Sequence, residues 1–223
     1  MQNAFSRKEI GELFLSMKGE GKKYLKELIQ QAELDELPDI LVRIVDGQQP
    51  YGFSSNEIVE LANLCDCGTL SSASIQNWIK RDIKELIGPP EHGKKYSVDQ
   101  AAILLLVWDL KSLYDFSAIR SLLTYLFNTI SDRSDDVIGP ALFYALCGYV
   151  LDKISGAPIQ SFDEKEFRLA IEQAKTAFTL ADFIWEHIED VLILVLLAVS
   201  ASRLHQQSAA ILERHLRRME CGE

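Results

Sequence analysis

The sequence predicts an all-α protein with one small hairpin, and three observations carry that expectation. Apolar residues recur at helical spacing along almost the whole chain, while alternating strand patterns are nearly absent. Serines stand ahead of several of these stretches, where a starting helix needs an oxygen for its free amides. Hydrophobic residues make up 48% of the 223 and charged residues 25%. That is too apolar for a disordered chain, and the length suffices for a sizeable core.

In chain order, residues 6–17 and 20–34 read as two short amphipathic helices separated by Gly19 and Gly21. Pro38 punctuates, 39–46 adds a helical turn or two, and 47–52 is a loop. Residues 1–50 thus form an N-terminal helical extension. Ser54 or Ser55 starts a helix through Leu64, with Glu57 the acidic partner of Ser54 in a capping box. A connector over 65–70 leads to a helix over 71–84, which Gly88, Pro89 and Pro90 break. Ser97 caps a helix over 97–113 that is apolar on nearly every face, so other elements must enclose it. A helix over 117–128 completes a middle segment, 51–130. The polar run 131–136 marks a boundary, and 131–223 is expected to be a helical domain for dimerisation or effector binding. Its helices cover 137–155, with Pro140 in the first turn, 163–178, and 179–219. Gly156 and Pro158 end the first, and breaks are expected in the last near Glu186 and Ser202.

The helix over 71–84 carries the most chemistry. One side holds Ile75, Trp78, Ile79 and Ile83, a register that makes Trp78 a core residue rather than a base-stacking one. The opposite side presents Gln76, Asn77, Lys80, Arg81 and Lys84. Amides read base edges in a major groove and cations meet phosphates. In GPPEHGKKYS, Gly93 permits a tight turn from which Lys94 and Lys95 project. A basic hairpin over 88–97 would be a wing on the phosphate backbone, with Tyr96 closing it against the core and within reach of a phosphate.

The order EIVELAN, SSASIQNWIKRDIKELIGPP, HGKKYSVDQAAILLL and LKSLYDFSAIRSLL resembles the DNA-binding domain of MerR-type regulators. More narrowly, the chain looks like the largely uncharacterised YkrK-like family of Bacillus proteins, for which a MerR-like regulator role is the usual expectation. The resemblance covers about a third of the chain and implies a winged helix-turn-helix that binds double-stranded DNA. The pattern departs from typical members in three ways. The first link is about three residues longer, Trp78 stands where an aromatic pair is usual, and lysines replace the wing arginine, giving point contacts instead of a bidentate fork. A long coiled-coil helix does not follow at once either.

The formal net charge is -10. Over 71–96 the positives are Lys80, Arg81, Lys84, Lys94 and Lys95, and the negatives Asp82, Glu85 and Glu91, so 5 − 3 leaves +2 there and -12 elsewhere. So few phosphate contacts per copy require a homodimer for an ordinary specific affinity.

Other chemistries find little support. No G-x-G-x-x-G, P-loop, G-x-S-x-G or H-E-x-x-H is present, so the chain is not expected to be an enzyme, and no cofactor is expected. Cys65 and Cys67 form a single C-x-C with no second pair, short of a zinc set. The eight aromatics of the last segment, Phe143 to Trp185, read as core, with a small apolar effector as a second candidate occupant. The longest apolar run, 191–201, is too short to span a membrane, and no secretory signal opens the sequence, so a cytoplasmic protein is expected. Two rivals remain: an interaction adaptor on a degenerate helix-turn-helix, and a ligand sensor that does not bind DNA.

Overall fold

A computed structural model of the chain describes residues 5–19, 38–46, 51–65, 70–128, 133–155 and 164–221. Regular structure among these residues is helical apart from two isolated antiparallel bridges. The expected helix over 20–34, most of the 47–52 loop and of the 65–70 connector, and the stop at Gly156 and Pro158 lie outside them.

The helices are α1 (Arg7–Met17), α2 (Asp39–Asp46), α3 (Ser55–Leu64), α4 (Ser72–Asn77), α5 (Lys84–Ile87), α6 (Val98–Leu110), α7 (Phe116–Phe127), α8 (Pro140–Ser155), α9 (Glu164–Ala177) and α10 (Asp182–Cys221). A π-helical turn, Trp78–Asp82, joins α4 to α5. Local chemistry explains where several begin. Ser6 with Glu9, Ser54 with Glu57 and Ser97 with Gln100 each close a reciprocal capping box. Asp115 accepts from the Ala118 amide at 2.8 Å, so α7 starts at Phe116. The helix expected from Val137 starts instead at Pro140, where the missing amide proton costs nothing. The breaks expected near Glu186 and Ser202 do not occur. From Asp182 to Cys221 the chain contains neither Pro nor Gly, and α10 runs through both positions as one helix.

α6 is the hub. Gln100 through Val107, Asp109 and Leu110 are all buried, and the helix packs against α1, α3, α5, α8 and α10. This enclosure is what a helix apolar on every face requires. α1 lies along α8 so closely that a Cβ on Gly148 would stand 2.5 Å from the Arg7 carbonyl oxygen. Arg7 itself reaches Asp109 of α6, with Nε 3.0 Å from Oδ2, and both side chains are buried. One continuous apolar cluster contains Phe14, Phe53, Ile83, Leu104, Phe143 and Leu192. The N-terminal helix, the middle segment and the last helices therefore share a core. No described helix is long and apolar enough to cross a membrane.

Candidate nucleic-acid interface

The site is built on two capping boxes set side by side. Phe53 directly precedes the Ser54 box and Tyr96 directly precedes the Ser97 box. The two residues exchange backbone hydrogen bonds, each 2.7 Å, which locks the start of α3 to the start of α6. Immediately before Tyr96 the chain makes the tight turn expected at Gly93. His92 and Lys95 exchange N–H···O bonds of 3.0 and 3.1 Å, and Gly93 has φ +70°. A two-residue turn of the primed type needs such a positive φ. Gly52 passes beneath it, where a Cβ would lie 2.7 Å from the Lys95 Cβ.

Gln100 fixes the link between helix and turn. Its side-chain oxygen accepts from the Ser97 and Glu91 amides at 3.0 and 3.2 Å, and its Nε2 donates to the Ile87 and Pro89 carbonyls at 2.8 and 2.7 Å. All four bonds are made by a side chain that is buried. Glu57 does similar work on the other side. Its carboxylate accepts from the Ser54 amide and the Tyr51 hydroxyl, both at 2.7 Å, and lies 3.5 Å from Lys95 Nζ. Burial pushes the Glu57 carboxyl up, but the Ser54 and Tyr51 bonds and the Lys95 charge outweigh it and hold it below its ordinary value. Burial and the bond to this anion push the Tyr51 hydroxyl up to about 12.

The segment over 71–84 is not the single α-helix expected from its sequence. Ser71 caps α4, accepting from the Ser74 amide at 3.1 Å, and Asn63 pins the preceding Leu70 by both its amide and its carbonyl. Beyond Asn77 the chain widens, and the Ile83 amide donates to the Trp78 carbonyl at 2.9 Å, five residues back. On either side of this wider turn Ile75, Ile83, Leu86 and Ile87 are all buried in the core. The Asp82 carbonyl is taken by Arg120 Nη1 of α7 at 2.7 Å. Trp78 is half-buried and packs edge-on against Phe116 of α7, with ring centroids 6.1 Å apart.

The sequence-derived site residues divide accordingly. Gln76 and Asn77 on α4, Lys80 and Arg81 in the π turn, Lys84 at the start of α5 and Lys94 at the tip of the turn are all exposed. Among the described residues, none of their side chains has a hydrogen-bond or ion-pair partner. Lys95 differs, because it is half-exposed, faces Glu57 and lies 5.1 Å from the centre of the Tyr51 ring. Tyr96 is half-buried, and that burial raises its hydroxyl. Sequence reading missed Gln100, Asn63 and Arg120 as positioning residues. Of the three only Gln100 left a signal, as the Q of an S-x-x-Q capping box.

Elsewhere, Cys65 and Cys147 are buried and form no disulfide, and burial pushes the Cys147 thiol well up. No group of three His, Cys, Asp or Glu side chains among the described residues could hold a metal ion. A cavity of about 200 Å³ is lined by Trp108, Asp109, Lys111, Ser112 and Ser202, and one of about 140 Å³ by Ser6, Arg7, Gly148, Leu151, Asp152 and Arg203. Each lining mixes charged side chains with apolar ones, Trp108 in the first and Leu151 in the second.

Comparison with known proteins gives two findings. A family described as a domain of unknown function (DUF1836) matches residues 32–147. The chain is also similar to the protein named Uncharacterized protein YkrK of Bacillus subtilis (strain 168), 43% identical over 227 residues that cover 93% of this chain and 97% of that one. No solved structure matches the chain.

Proposed function

This chain belongs to the DUF1836 family, and we propose that it is a sequence-specific DNA-binding transcriptional regulator of the MerR-like winged helix-turn-helix kind. In this reading α4 and the π turn enter the major groove, with Gln76, Asn77 and Lys80 facing base edges. Arg81, Lys84, Lys94 and Lys95 meet phosphates beside them, with Tyr96 at the root of the wing.

One observation carries the proposal. Two exposed amides and four exposed cations without described partners sit on α4, the π turn, α5 and the 92–95 turn, and the buried Gln100 ties the end of α5 to the link leading into that turn. Side chains held ready on a braced frame suit recognition, because little of the frame has to be ordered on binding. Lys95 contributes less to this face than the others, since Glu57 already neutralises part of its charge. The free cations are too few for one copy to bind tightly, so the reading asks for two copies.

The test is fluorescence anisotropy with the DNA upstream of the protein's own gene, over a series of salt concentrations. Salt-dependent binding that the K80A/R81A/K94A variant loses supports the proposal. Lys95 is left intact in that variant because it also anchors the turn.

A further inference from the structure

The second half of α10 leaves the core. Up to Ser200 the helix is largely buried against α6, α7, α8 and α9. From Arg203 onward almost every described residue is exposed or half-exposed, and the helix runs on for roughly 28 Å at about 1.5 Å per residue. This projection carries five of the large apolar side chains that the surface exposes. Leu204, Ile211, Leu212, Leu216 and Met219 are between 46% and 64% exposed.

Their spacing is not random. Leu204, Ser208, Ile211, Leu212, His215 and Met219 fall on one face at helical intervals, with Leu216 at its margin. Arg203, Arg214 and Arg217 lie on other faces, and Arg217 is paired with Glu213 one turn back. Leu216 aside, whose inverse is Gln207, the stripe is also its own mirror. Inverting it about the midpoint of Ile211 and Leu212 exchanges Leu204 with Met219, Ser208 with His215, and Ile211 with Leu212. A two-fold interface must present the same patch from both sides, so each position meets its inverse. A foreign partner would place no such demand on the spacing.

We propose that this stripe pairs antiparallel with the same stripe of a second copy, about a two-fold axis between Ile211 and Leu212. Large side chains then meet at the centre and at both ends, Leu204 against Met219 and Ile211 against Leu212. The two Ser208–His215 contacts form the polar steps between them. The exposed apolar area is large enough for a modest dimer. Five half-exposed side chains at roughly 100 Å² each, doubled over two copies and joined by the flanking stems, approach the ~1,200 Å² at which specific interfaces begin. The pairing would supply the second copy that the DNA-binding proposal asks for, but it rests on α10 alone and is tested without DNA.

Sedimentation of the full chain across a wide range of concentration should show a monomer–dimer equilibrium. The I211E/L212E variant alters only exposed residues and should melt as the wild type does, while its dimer dissociation constant rises at least ~100-fold. Register is read by disulfide trapping with Cys67 and Cys221 replaced by Ser, Cys65 and Cys147 being buried. A mixture of L204C and M219C chains should cross-link, and L204C alone should not. A wild-type monomer at every concentration, a dimer that survives I211E/L212E, or cross-linking of L204C to itself would overturn the proposal. So would a monomer that uses this stripe to bind vesicles of anionic phospholipid. A dimer that ignores DNA leaves this inference standing and removes the DNA-binding one; a monomer in solution that pairs only on DNA, with I211E/L212E pairing as well, does the reverse.

Discussion

Gln100 shows how much positioning one side chain can do. It satisfies two amides and two carbonyls at the place where α5 gives way to the turn. Truncating it to Ala leaves these buried groups without partners, and we expect a loss of about 3 kcal/mol in urea unfolding. Gln100→Glu should be worse, because a carboxylate would face the Ile87 and Pro89 carbonyls. Near-neutral results for both would mean the link is held by other contacts. Glu57 gives a pH signature. Its folded-state carboxyl lies below its ordinary value, so its contribution is present above the ordinary carboxylate range and disappears as pH falls through the folded value. The stability gap between wild type and Glu57→Gln, which keeps the capping oxygen, should be constant above the ordinary carboxylate range and close as pH falls through and below it. A gap that persists in acid would contradict this. Both residues were legible as parts of S-x-x-E/Q boxes. Their second roles were not, because the partners, Pro89 and Tyr51 among them, come together only once the loops are folded.

At the scale of elements, starts were easier to read than continuity. Ser54, Ser71 and Ser97 announce their helices because a cap is a local bond between near neighbours. The π turn at Trp78–Asp82 left no trace, since the apolar register of Ile75, Ile79 and Ile83 is consistent with an ordinary helix as well. What selects the wider turn is long-range, and includes Arg120 of α7 holding the Asp82 carbonyl. Arg120→Ala removes one exposed hydrogen bond and should cost under about 1 kcal/mol of global stability. It should nonetheless speed amide hydrogen exchange at Ile83, whose bond to Trp78 the turn depends on. Unchanged exchange would show that the turn is set by the packing of Trp78 on Phe116 alone. α10 was misread in the opposite direction. Breaks were expected at Glu186 and Ser202, although nothing in that stretch removes an amide or adds backbone freedom.

For the molecule as a whole, a charge of -10 first weighs against nucleic acid. Resolved along the chain it is +2 over 71–96 and -12 elsewhere. The sequence carried the helical class and the enclosure of α6. It did not show that α1, α6, α8 and α10 would close around a single core, because helix-to-helix partners are chosen by shape, as at Gly148 against Arg7. The salt dependence of binding to upstream DNA tests most directly whether Arg81, Lys84, Lys94 and Lys95 form a phosphate-facing set. With these four cations on each of two copies, log affinity should fall with log salt at a slope of about -7, flattened by about 4 in K80A/R81A/K94A. Binding that is absent, indifferent to salt, or equally steep in the variant would contradict the account.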